Sequence, residues 1–102
     1  MKINEYQELC MRTVTDDFTL SEGALGLCGE SGEVTEIIKK HFYHGHKLDR
    51  DNLLLELGDV AWYLAVIAEL CGIELSEVFE ANIEKLQKRY PDGFSSERSI
   101  NS

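Results

Sequence analysis

Leu27-Cys28-Gly29-Glu30-Ser31-Gly32-Glu33-Val34 and Leu53-Leu54-Leu55-Glu56-Leu57-Gly58-Asp59-Val60 share one pattern, L-x-x-E-x-G-[acid]-V. Around the second copy, Leu53, Glu56, Val60, Tyr63 and Ile67 are spaced 3, 4, 3, 4, the stripe that a helix buries. Around the first, Leu27, Glu30, Val34, Ile37 and His41 have the same spacing. Both segments therefore read as helices with a carboxylate in the middle of the apolar face. The repeat predicts that they pack as an antiparallel hairpin with rough two-fold symmetry. Gly32 and Gly58 each cost about 1 kcal/mol of helix propensity, which suggests a close approach to the backbone there, by a crossing helix or by a ligand.

Outward from this pair, the reading is all-α with four helices. The first runs from about Ile3 to Thr15. The second follows Ser21 as N-cap and ends near Tyr43 and Gly45. Asp49 or Asp51 caps the third, which stops at Gly72. Ser76 caps the fourth, which ends before Pro91. No stretch shows sustained period-two alternation, so strands are not expected. Residues 1–94 read as a single domain and 95–102 as a polar surface tail.

Composition narrows the function classes. A chain of 102 residues supports one domain. Nineteen acidic side chains against ten basic ones, a net charge of −9, disfavour binding to a nucleic-acid backbone. They leave room for a small phosphorylated ligand, because a divalent metal can invert the local charge. The longest apolar run, near Val60 to Ala68, is too short to span a bilayer, and the first residues do not form a signal peptide. Cys10, Cys28 and Cys71 form no C-x-x-C pair and read as reduced core cysteines of a cytoplasmic protein.

The acids carry the chemistry. Glu30 with Glu33, and Glu56 with Asp59, lie three residues apart, about 5–6 Å between Cβ atoms on one helix face. A carboxylate on a buried face needs compensation, and four converging would repel strongly. No Lys or Arg lies on these stripes near them. Protonating several at neutral pH needs very large shifts. Hard oxygen ligands at this density suit Mg²⁺, with Mn²⁺ as a substitute. A di-iron bundle would require Glu-x-x-His pairs, and both pairs here are acid-x-x-acid. His41, His44 and His46 read as a helix-end and loop feature, and Phe18, Trp62 and Tyr63 as core more than as base-stacking residues. On the last helix, Lys85 and Arg89 share a cationic face, and Lys39 and Lys40 form a second basic spot. Metal-binding acids beside a small cationic rim describe a polyphosphate site.

In order along the chain, Gly29-Glu30-Ser31-Gly32-Glu33-Val34, Glu56-Leu57-Gly58-Asp59-Val60 and then Asn82, Lys85 and Arg89-Tyr90-Pro91 resemble the MazG-like all-α nucleoside triphosphate pyrophosphohydrolases over roughly residues 6–94. The resemblance implies Mg²⁺-dependent hydrolysis of an NTP or dNTP to a monophosphate and pyrophosphate. It implies Glu30, Glu33, Glu56 and Asp59 as metal ligands, and Asn82, Lys85, Arg89 and Tyr90 as substrate contacts, with Lys40 added from the basic spot. Many members carry a Glu before the first motif Glu; here Gly29 stands there, so Glu33 or Glu36 is left to orient the water. A homo-oligomer, dimer or tetramer, with sites near the subunit interface, is implied as well. The competing class is a non-catalytic helical dimerisation module whose acids hold a structural metal or none.

Overall fold

The computed structural model describes all 102 residues. Helix α1 spans Ile3–Met11, α2 Leu20–Tyr43, α3 Arg50–Leu70, α4 Leu75–Arg89 and a short α5 Ser96–Ile100. There are no strands. The expected hairpin of the second and third helices is present. Gly23 faces Ile67, Gly26 faces Tyr63, and Ile37 lines the same cavity as Asn52. The partner number falls as the first number rises, so α2 and α3 run antiparallel. Both predicted stripes are half-buried from end to end, which is the face the two helices present to each other.

Helix ends follow local chemistry in some places and tertiary contacts in others. Asp49 caps α3, its Oδ1 accepting from the Asn52 N–H at 3.1 Å. The cap of α2 is Thr19 rather than Ser21; its Oγ1 accepts from the Glu22 N–H at 3.1 Å. Thr19-Leu20-Ser21-Glu22 carries the T-x-x-E start signature that picks the earlier residue. Helix α1 ends at Met11, before the expected Thr15. At Gly72, φ is +71° and the Ile73 N–H donates to the Ala68 carbonyl at 2.8 Å, which closes α3 as a left-handed glycine cap.

The start of α4 differs most from the sequence reading. Its N-cap is Glu74, with no side-chain cap of its own. Ser76 lies inside the helix, and the opening amides are closed from α1. The Leu75 N–H donates to Gln7 Oε1 at 2.8 Å and the Ser76 N–H donates to Asn4 Oδ1 at 3.0 Å. Gln7, itself buried, also donates from Nε2 to the carbonyls of Ala65 and Ile73. One amide thus ties α1 to the end of α3 and the start of α4.

The core is small. Cys10, Ala65, Val66 and Leu75 are buried together, with Tyr6, Met11, Val14, Phe18 and Trp62 packed around them. Phe18 and Trp62 meet edge to face at 5.8 Å, and the Trp62 indole N–H donates to Thr13 Oγ1 at 2.8 Å. Cys10 is the only core cysteine. Cys28 and Cys71 are exposed, because Cys28 is off the buried stripe of α2 and Cys71 caps α3. Only seven of the 102 residues are buried, and the chain exposes 7800 Å², against about 5800 Å² for a monomer of this mass. The radius of gyration is 16.6 Å, where a closed domain of this length has about 13 Å. No helix is long and apolar enough to cross a membrane.

Candidate metal centre

Glu30 arrives from α2, and Glu56 and Asp59 from α3, at the level where the two half-buried stripes meet. One carboxylate oxygen from each lies within 4.8 Å of the others. Glu30 and Glu56 are half-buried and Asp59 is exposed. Glu56 Oε2 is shut off from solvent and has no hydrogen-bond partner. The Glu56 carboxyl is pushed above its ordinary range. A hydrogen bond shared with Glu30 is the main cause, followed by desolvation and by the charges of Glu30 and Asp59. No Lys or Arg forms an ion pair with any of the three.

An orphaned buried oxygen, three hard donors and uncompensated negative charge are what a divalent cation would resolve. These residues fit such an ion. Of the four acids expected as ligands, three gather here. Glu33, one turn further along α2, is exposed and lines an adjoining cavity of about 240 Å³. That cavity lies between the last turns of α2, the connecting loop and the first turn of α3. Glu36 is there too, ion-paired to Lys39 at 3.1 Å, and the Lys39 hydrogen bond holds its carboxyl below the ordinary value.

The expectation of a helix crossing at Gly32 or Gly58 is corrected. A Cβ on Gly32 or Gly58 would meet nothing within 4 Å. The close approach is at Gly26, one turn before the motif, where a Cβ would fall inside the Tyr63 ring. Tyr63 in turn packs edge to face on Trp62 at 4.9 Å. Sequence reading missed Tyr6, whose hydroxyl donates to the Gly58 carbonyl at 3.5 Å beside the acids. Desolvation first, then the hydrogen bond to Cys10, pushes its phenol up to about 12. The histidines are a helix-end feature, as expected: the His41 ring bonds the His46 carbonyl through Nδ1 at 2.9 Å.

The α4 residues stand apart. Asn82, Lys85 and Arg89 are exposed, and α4 packs on α1 and α3. None of them lines the cavity beside the acids, and neither Lys85 nor Arg89 pairs with a carboxylate there. Tyr90 is half-buried against Phe94, with the Arg89 guanidinium 5.8 Å from its ring centre. The motif order predicts one site for these side chains and the acids; within a single protomer neither cation forms an ion pair with those acids.

Residues 18–94 match the family model described as the MazG nucleotide pyrophosphohydrolase domain. The chain belongs to the MazG family. Similar proteins include the "Gene 37 protein" of Mycobacterium phage L5, 40% identical over 78 residues, which are 72% of this chain and 68% of that one. The "Uncharacterized protein YvdC" of Bacillus subtilis (strain 168) is 39% identical over 41 residues, 40% of this chain and 39% of that one. No solved structure matches this MazG chain. The matched segment contains both acidic motifs and the whole of α4, and leaves α1 outside.

Proposed function

We propose that this MazG-family chain hydrolyses nucleoside or deoxynucleoside triphosphates to a monophosphate and pyrophosphate, with Mg²⁺ at Glu30, Glu56 and Asp59 and Mn²⁺ able to replace it. The observation that carries the reading is the convergence of three carboxylates on a buried, unpartnered oxygen of Glu56. A bound divalent ion would supply a polarised α-phosphate and a more acidic attacking water. Glu33 is the better candidate to accept that water's proton, because it is unpaired and one turn from Glu30, whereas Glu36 is committed to Lys39. By turning inward, Glu33 can also complete the ligand set. Asn82, Lys85 and Arg89 of α4, with Tyr90 just after it, contact the substrate in the assembled protein.

Assembly into a homo-oligomer is part of the proposal. The exposed surface exceeds that of a monomer by about 2000 Å², on the scale of an obligate interface. Val78, Phe79, Ile83 and Leu86 of α4 are among the exposed apolar side chains. The site of action is the cytoplasm, where nucleotide pools reside. Product analysis from a panel of triphosphates, with and without Mg²⁺, tests the reaction. Monophosphate plus pyrophosphate is expected. Diphosphate plus orthophosphate would move the attack to the γ-phosphate and overturn the reading.

A further inference from the structure

Helix α3 carries a second stripe, distinct from the one that meets α2. Arg50, Leu54, Leu57, Ala61, Leu64 and Ala68 are spaced 4, 3, 4, 3, 4 and fall within about 80° of one another around the helix. Leu54, Leu57 and Leu64 are exposed and Ala61 is half-buried. Two hollows lie along this face. One of about 320 Å³ is lined by Ala61 and Leu64 together with Tyr6, Leu75 and Phe79. The other, of about 650 Å³, is lined by Leu48, Leu53, Leu54 and Leu57 with Arg50 and Asp51. On α4, Phe79 and Ile83 are exposed next to the first hollow and extend the apolar patch.

The spacing of the stripe is the same read from either end. A second α3 laid antiparallel on it, about a two-fold axis midway between Leu57 and Ala61, therefore meets it in register. Leu57 of each copy lies over Ala61 of the other, and Leu54 lies against Leu64. A large side chain faces a small one at the centre, the knob-and-hole match that helices use when they pack. Arg50 then reaches the last turn of the opposite helix, at the level of Ala68. In its own helix Arg50 stands in the first turn, where the dipole opposes a cation, and it forms no ion pair. At the C-terminal end of a partner helix the same charge is favoured. The area is also sufficient. The chain exposes about 2000 Å² more than a monomer of its mass, and a standard stable interface takes about 800 Å² from each partner.

Resting on the assembly proposed above, we infer that this face is covered by a second copy of the chain, through a two-fold seam of α3 on α3 in which Leu57 of each copy fills the hollow over Ala61 of the other. A two-fold axis makes every such contact twice. The stripe needs no partner of another kind, because its own reversed sequence supplies the complementary shape. Phe79 and Ile83 flank the seam from α4 and widen the apolar area that it closes.

Light scattering of the full chain and of two variants tests the seam. Leu57→Glu should at least halve the mass of the assembly, with helical circular dichroism retained. Leu25→Glu, a charge on an exposed apolar residue of α2, should leave the mass unchanged. Disulfide trapping tests the register without disturbing the fold. Both exposed native cysteines, Cys28 and Cys71, are first replaced by Ser. Chains carrying Leu57→Cys and chains carrying Ala61→Cys, co-expressed and oxidised, should then give a covalent dimer that neither gives alone. A Leu57→Glu protein of undiminished mass, or crosslinking no stronger in the mixed pair than in either single variant, would overturn the inference. Failure of assembly itself shows separately, as wild-type protein with the mass of one chain.

Discussion

Glu56 occupies a position where a leucine would serve the fold better. Its stripe is half-buried, one of its oxygens has no partner, and Glu30 and Asp59 crowd it with like charge. Folding raises its pKa above the ordinary 4.5, so the folded state favours the protonated form. The sign follows: this group's contribution to metal-free stability falls as pH rises from 4.5 to the raised value, and stays lower above it. Glu56→Gln should remove that loss. Thermal melts of metal-free protein between about pH 4 and 8 should show the variant as stable as wild type or more so above the raised pKa. Mg²⁺ should raise the melting temperature of wild type far more than that of the variant, while turnover falls by orders of magnitude. A variant that keeps its metal response would place the ion elsewhere.

Between α2 and α3 the contact is closest at Gly26, under the Tyr63 ring. Gly26→Ala should destabilise by about 1–3 kcal/mol in denaturant melts, since an inserted methyl must displace a packed aromatic. Gly32→Ala meets nothing in the protomer and should gain up to about 1 kcal/mol of helix propensity. The reverse order would mean that the two helices pair in another register. The hairpin itself was legible in the sequence, because a 3, 4, 3, 4 stripe repeated around L-x-x-E-x-G-[acid]-V has one helical interpretation. The helix crossing was assigned to the wrong glycines, since a propensity cost shows that something comes close but not at which turn. The cap of α4 was illegible for a different reason. Local rules look three residues ahead, whereas Asn4 and Gln7 are about seventy residues from the amides they close. At the site, three of the acids were legible from spacing, and the cavity was not, because Lys47 and Asn52 reach it only through the turn at Gly45.

For the whole molecule, a 16.6 Å radius of gyration and a core of a few residues describe a chain with apolar faces left open. Light scattering at micromolar concentration should give a mass of at least two chains, and the melting temperature should rise with protein concentration. A monomer with a concentration-independent melt would refute assembly. The short length points that way; which faces close is not legible in the sequence, because exposed and core leucines look alike in a helical stripe. The clamp by Gln7 and Asn4 bears on where this unit can be cut. The family match begins at residue 18, yet both clamp residues lie before it. Excising the matched segment alone would strip Leu75 and Ser76 of their acceptors and uncover Val66 and Leu75. The smallest piece that folds is therefore expected to start upstream of the recognisable domain, at α1, and expression boundaries drawn from sequence comparison would discard the residues that hold α4 in place.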